Sequence, residues 1–330
     1  MVMRAMLLCA GIGVRLRPLT DEIPKPLLPL FGRPVADYQL EAMVEAGVEA
    51  VVMNLHHLPD AVRERFGGRS RGLDIYYSRE PEILGPTGGI GKALPMLGDG
   101  PVLVVNGDVV MEVDFRKLLE YHEEAGAALT LAVGRGEGRP ELRAVGVDPD
   151  GRVRQLWGKP DWTDSPLIGY VNLGAFVYER RVIEEYIPEN SFYDFRNDLI
   201  PRLFERGEKV MAYNTDTYWN DIGAVEAYIQ THLDVFACGG TRRCRKQAET
   251  GAPAPGPEFR QPVYVEGELS IGAGAAVGPN VALGIGCDIG AGAVLSNGVV
   301  LPGARVPAGA KSDRFVALGG RLIFTGETKK

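Results

Sequence analysis

Immediately after an apolar run, Leu8, Cys9, Ala10, Gly11, Ile12 and Gly13 place small residues where the chain turns, and Arg15 and Lys25 follow in the same loop. Small residues let backbone N–H groups approach an anion, and a guanidinium and an ammonium add charge-assisted donors. The loop is therefore suited to a polyphosphate. A structural turn would explain the glycines alone equally well, and solvation beside a proline-rich loop would explain the two cations. Leu16 stands where a dinucleotide fingerprint has its third glycine, and no Gly-Lys-Ser/Thr follows, so neither phosphate-loop fingerprint is present. Much further along, Asp108 closes the apolar run Val102 to Val105 and Asp221 follows Trp219. A carboxylate at the carboxyl end of a buried strand faces the ligand crevice of an open α/β sheet, although a helix cap or a surface turn also employs aspartate.

Such residues need a frame, and the hydrophobic pattern supplies one. Apolar runs at Ala5–Cys9, Ala50–Leu55, Leu73–Ser78, Val102–Asn106 and Ala127–Val133 read as strands. They alternate with amphipathic stretches at Val35–Ala46, Asp60–Phe66, Gly88–Leu97 and Phe115–Ala125, the pattern of helices on a largely parallel sheet. From Arg143 the pattern changes. Ala144–Val147 and Arg152–Leu156 flank Pro149, Asp150 and Gly151, a turn that joins antiparallel strands, so the central sheet is mixed. A strand at Tyr170–Tyr178, helices near 181–187 and 194–206, a strand at 209–214 and a helix at 224–237 complete this part. Residues 238–262 are rich in Gly, Pro, Arg and Ala without periodicity and read as a linker, its Arg242, Arg243, Arg245 and Lys246 as a solvated tether.

Past the linker the period becomes six. Ile271, Val277, Leu283, Ile289, Leu295 and Leu301 are evenly spaced, and Ala275, Val281, Cys287, Ala293, Val299 and Arg305 stand four residues after each. A large aliphatic every sixth residue, with glycine at tight corners, predicts a short parallel (left-handed) β-helix of about two coils. So small a stack must bury its open end on the first domain or on another subunit. The expected organisation is a catalytic domain at 1–237, the linker, and a β-helix with its tail at 263–330.

Composition narrows the classes. The 330 residues carry 45% apolar and 24% charged side chains, which excludes a disordered, collagenous or disulfide-framework chain. No apolar run reaches the roughly 18 residues that span a bilayer and no leader is evident, so a cytoplasmic, membrane-free protein is expected. The four cysteines have no metal-like spacing, and a net charge of −7 disfavours nucleic acid as a partner. His56 and His57 invite a metal reading, but with no third ligand nearby a loop role is favoured.

In the stretch Gly11 to Thr20 followed by Lys25 to Pro29, the chain resembles the sugar-1-phosphate nucleotidyltransferases. The likeness continues through Asn106–Asp108, Gly146, Lys159–Pro160, Asn172–Gly174 and Trp219–Gly223. It covers residues 3 to about 236. The resemblance implies a Rossmann-like nucleotide-diphospho-sugar transferase domain and transfer of a nucleoside monophosphate from an NTP to a sugar 1-phosphate, with pyrophosphate released. It also implies a set of roles: Asp108 and Asp221 hold Mg²⁺, Arg15 and Lys25 hold the triphosphate, and Leu8, Ala10, Gly11, Gly13 and Gly88 line the nucleotide. Lys159 takes the acceptor phosphate, with Gly146 and Asn172 near the sugar hydroxyls. A homo-oligomer is expected.

The chain departs from the family pattern at Val14, where a threonine is usual, at Pro86, and at Gly158, where a glutamate usually precedes Lys159; the last puts sugar identity in doubt. The branch most similar is mannose-1-phosphate guanylyltransferase. Glucose-1-phosphate thymidylyl- or uridylyltransferases and a muramate-type uridylyltransferase stay open, as does a non-catalytic nucleotide-sugar-binding subunit. An added acyltransferase is disfavoured, since all four histidines precede the linker and leave the β-helix without an imidazole base.

Overall fold

A computed structural model of the chain describes residues 3–136, 142, 144–161, 164, 166–251 and 259–324. Arg143, part of the expected linker and the extreme tail therefore lie outside the described residues. In chain order the first elements are β1 (Arg4–Leu8), α1 (Leu19–Glu22), β2 (Pro29–Leu30), β3 (Arg33–Pro34), α2 (Val35–Glu45), β4 (Ala50–Leu55), α3 (Pro59–Phe66), β5 (Arg69–Ser70), β6 (Leu73–Arg79), α4 (Gly85–Ala93), β7 (Val102–Asn106), β8 (Val109–Met111) and α5 (Phe115–Ala125). There follow β9 (Leu129–Gly134), β10 (Val145–Val147), β11 (Val153–Leu156), β12 (Ile168–Tyr178), α6 (Arg180–Tyr186), α7 (Ile200–Glu205), β13 (Val210–Asn214), β14 (Trp219–Asp221), α8 (Val225–Phe236) and α9 (Arg242–Thr250).

The chain divides into two compact units that do not follow its linear order. The first comprises 1–12, 39–107 and 113–217; the second comprises 13–38, 108–112 and 218–330. Segments far apart in sequence therefore share one core in each unit.

In the first unit, β11, β10, β12, β7, β1, β4, β6 and β5 lie side by side, with β9 joined to β12 and β13 to β9. β1 runs parallel to β4 and β7, whereas β12 runs antiparallel to β7, so the sheet is mixed as expected. Register places Leu8 opposite both Asn54 and Asn106, lining up the carboxyl ends of the three central strands. Those strands read as unbroken apolar runs because consecutive residues, which face opposite sides of the sheet, are buried alike. Helix α5 begins where the Asp114 side chain accepts the N–H groups of Arg116 and Lys117, and ends at Gly126 in the left-handed conformation.

The second unit contains the β-helix. β15 (Val263–Val265), β18 (Val281–Leu283), β21 (Gly298–Val300) and β24 (Phe315–Leu318) stack into one parallel sheet, closed by the antiparallel β25 (Arg321–Phe324). β16 (Ser270–Ile271), β19 (Asp288–Ile289) and β22 (Arg305–Val306) form a second sheet, and β17 (Ala276–Val277), β20 (Val294–Ser296) and β23 (Lys311–Asp313) a third. The stack exceeds the two coils expected.

The hexad holds only as far as Leu295. Val263 pairs with Val281, 18 residues on, but Val281 pairs with Gly298, 17 residues on. One residue fewer reverses which side chains face inward. Val300, not Leu301, joins Leu283 and Leu295 inside the coil. Val299 and Leu301 face outward with Tyr264, Ala282, Val316 and Leu318, and these pack against Phe31, Tyr38 and the α8 residues Tyr228 and Ile229. The β-helix is therefore buried along the flank of one sheet.

The expected linker also differs: Arg242–Thr250 is helix α9, capped by Thr241, whose hydroxyl accepts the Cys244 N–H. Nor are its cations a tether. Arg243 is 3.6 Å from Glu112, and Arg245 donates to the carbonyls of Gly239 and Gly240.

Candidate active site

The second unit gathers Arg15, Lys25, Asp108 and Asp221. β8 and β14 pair antiparallel with Asp221 opposite Val109, and the Ile222 N–H donates 3.0 Å to the Asp108 carbonyl, which fixes the two aspartates as neighbours. The Lys25 ammonium lies 2.7 Å from Asp108 Oδ2. The Asp221 Oδ1 accepts the Gly223 N–H at 2.7 Å. A side chain at Gly223 would meet the Arg15 guanidinium and Asp221 Oδ1, both 2.8 Å from the position of its Cβ, so Arg15 and Asp221 both crowd that glycine. Burial, and then the charge of Asp108, push the Asp221 carboxyl above its ordinary range, against the Gly223 hydrogen bond and the charges of Lys25 and Arg15. Gly13 has φ +74°, and a Cβ there would sit 2.8 Å from both Lys25 Cε and Thr20 Cγ2; only glycine lets Lys25 pass. Val14 is 60% exposed, so the missing threonine leaves no buried polar gap.

The remaining sequence-derived candidates belong to the first unit. A cavity of about 440 Å³ is lined by Leu8 and Asn106 at strand ends, Asn172 within β12, Pro86 and Thr87 of α4, Trp157, and Asp194 to Asn197 among others. The Asn172 side chain accepts the Gly174 N–H at 3.0 Å, at an irregularity in the β9–β12 pairing. Ala10 and Gly11 follow β1 in the loop whose Cys9 N–H donates 2.8 Å to Asn54.

Gly88, Gly146 and Lys159 do not line this cavity. Gly88 is glycine because a Cβ would lie 2.3 Å from the Ser191 carbonyl oxygen; its own N–H donates to Tyr193. Gly146 is the middle of β10, between Gln155 and Gly169, with Leu167 and Gln155 over its Cα. Lys159 lines a separate cavity of about 700 Å³ with Pro160, Arg196, Asn197, Ile200 and Phe204 among others. The turn before it explains the departure at Gly158. Leu156 and Lys159 exchange backbone hydrogen bonds across Trp157 and Gly158, whose φ values are +49° and +77°, a conformation in which glycine is favoured over glutamate.

Residues 4–237 match the family model described as Nucleotidyl transferase. The chain belongs to that family. It is 33% identical over 233 residues to the mannose-1-phosphate guanylyltransferase of Mycobacterium tuberculosis, covering 70% of this chain and 64% of the relative. It is 32% identical over 250 residues to the UTP–glucose-1-phosphate uridylyltransferase of Synechocystis, covering 71% and 64%. The chain thus spans less than two thirds of these relatives' length. Its fold resembles the crystal structure of HddC from Yersinia pseudotuberculosis, with a TM-score of 0.59 at 23% identity over 69% of this chain and 97% of the other.

The chain also carries a buried hydrogen-bonded network that the motifs did not reveal. Asn54 donates 2.7 Å to Glu80 Oε1, while Glu80 Oε2 accepts the Leu84 N–H at 3.1 Å. With the Cys9 bond, a buried relay ties the loop after β1 to the start of α4. Both polar residues are about 2% exposed, and a polar residue ending a buried strand was the available signal. Arg196 was also missed; nothing in its sequence neighbourhood marks it. Among the described residues no group of three or more His, Cys, Asp or Glu is placed to hold a metal. No helix there is long and apolar enough to cross a membrane.

Proposed function

We propose that the chain transfers a nucleoside monophosphate from an NTP to a sugar 1-phosphate, with mannose-1-phosphate guanylyltransferase activity as the leading assignment. The observation that carries this reading is the convergence of two cations and two carboxylates, Arg15, Lys25, Asp108 and Asp221, in one unit. The match to a guanylyltransferase at 33% identity favours the guanine nucleotide.

A phosphate monoester with a second pKa near ~6 is mostly dianionic at neutral pH, so the acceptor oxygen needs no base to attack the α-phosphorus in line. The work left to the protein is alignment and charge neutralisation. Arg15 and Lys25 bind the triphosphate and stabilise the departing pyrophosphate. Gly13 and Gly11 bring backbone close to the phosphates, and the relay through Asn54 and Glu80 holds the walls that receive the base, near Leu8, Ala10 and Gly88. Asn172 lines the acceptor's cavity and Gly146 braces the strands beside it, while Lys159, expected at the acceptor phosphate, faces the neighbouring chamber.

Asp108 and Asp221 fit a divalent cation. They are hard oxygen donors held side by side, and Mg²⁺ accepts one or two carboxylates with substrate phosphates and water completing its shell. When bound there, Mg²⁺ would neutralise triphosphate charge.

The test is a pyrophosphate-release screen of the common nucleoside triphosphates against a panel of sugar 1-phosphates with Mg²⁺. GTP with mannose 1-phosphate is expected to lead. A lead for UTP or dTTP with glucose 1-phosphate would move the assignment within the family, and no release from any pair would refute it.

A further inference from the structure

The cavity assigned to the acceptor must hold a dianion, yet Lys159 opens into the neighbouring chamber. Among the described residues lining the 440 Å³ cavity, the one cation is Arg196. Its guanidinium carbon lies over the Trp157 ring, 5.0 Å from the centroid, and no carboxylate among the described residues pairs with it. Asp194 lines the same cavity, but its Oδ1 accepts the backbone N–H groups of Arg196 at 3.1 Å and Asn197 at 2.8 Å. The carboxylate is thus engaged by the backbone from which Arg196 projects. Arg196 and Asn197 also line the 700 Å³ chamber that Lys159 faces, so Arg196 stands at the division between the two spaces.

We propose, resting on the acceptor reading above, that Arg196 is a specificity-determining residue that binds the phosphate of the sugar 1-phosphate, its planar fork oriented by the Trp157 ring. A guanidinium offers two parallel donors to a phosphate edge, and stacking on an indole holds the fork in plane while leaving those donors outward. An exposed arginine left without a carboxylate partner costs nothing by itself. Placed over an aromatic at the wall of a cavity whose described lining holds no other cation, it matches an anionic ligand better than solvent.

The test is steady-state kinetics of the full chain, varying each substrate in turn, with the pair found by the pyrophosphate screen. Arg196→Ala is expected to raise KM for the sugar phosphate about 10- to 100-fold and leave KM for the nucleotide within about twofold. Arg196→Lys keeps the charge without the fork and recovers part of the loss. Trp157→Leu shifts the same KM in the same direction by a smaller factor. An unchanged acceptor KM in Arg196→Ala, or both KM values rising together, overturns the inference while leaving the activity standing. A wild-type chain without turnover overturns both.

Discussion

His232 makes the second unit acid-sensitive. It lies inside α8 with its ring 5.0 Å from that of Phe31 and 4.9 Å from that of Tyr228. Its Nδ1 lies 3.1 Å from the Tyr228 carbonyl, which makes Nδ1 the protonated nitrogen, and the buried Nε2 has no hydrogen-bond partner among the described residues. Burial pushes the imidazole down to about 4. An unfolded histidine titrates near ~6.5, so between that pH and about 4 the unfolded chain binds the proton that the folded chain refuses. The stabilisation from a neutral His232 is therefore complete above pH ~6.5 and is lost as pH falls through that window. At pH 4.5 the loss amounts to about 2.5 kcal/mol. His232→Leu removes this titration and keeps an apolar side chain against Phe31. The assay is urea denaturation of both proteins at pH 7.5 and pH 4.5, comparing how much stability each loses. Wild type should lose about 2.5 kcal/mol more than the variant. Equal losses would refute the reasoning, because the carboxylates common to both proteins would then account for the whole acid effect.

Asp108→Asn and Arg15→Ala should each lower turnover by a factor of about 10² to 10³ with little change in melting temperature; near-normal turnover would remove the assigned role. Gly88→Ala forces a methyl into the Ser191 carbonyl and should cost about 1–3 kcal/mol in urea denaturation, and an unchanged midpoint would show that the 191–193 segment yields freely.

Much of this molecule was legible from residue order alone. The strands Ala50–Leu55 and Val102–Asn106 and the helix Phe115–Ala125 match expectation residue for residue, since buried parallel strands read as continuous apolar runs and α5 has a clean cap at each end. The neighbouring positions of Lys25, Asp108 and Asp221 were implied by family motifs, not by spacing, because β8 and β14 come from segments more than a hundred residues apart. Three features escaped. The one-residue slip near Asn297 is silent in a repeat whose corner residues are small and whose inward and outward positions are both aliphatic there. Helix α9 hid in a polar stretch because part of its order comes from the contact of Arg243 with Glu112, far outside its own segment. The side of the Trp157–Gly158 turn on which Lys159 emerges depends on two positive φ values, which a motif of three letters does not encode.

Most hexapeptide stacks could be pictured as a detachable handle, and this one is not. Its outward stripe of Tyr264, Val299 and Val316 belongs to the same hydrophobic cluster as Leu16, Leu28 and Ile222, the near neighbours in sequence of Arg15, Lys25 and Asp221. Tyr264 even donates its hydroxyl to the Phe31 carbonyl at 2.9 Å. Cutting the chain before Pro262 would strip the floor from beneath the charged quartet. Damage to the solenoid, by deletion or by a polar residue in that stripe, would surface first as lost turnover, long before anything changed in the sheet that Leu8 and Asn106 terminate.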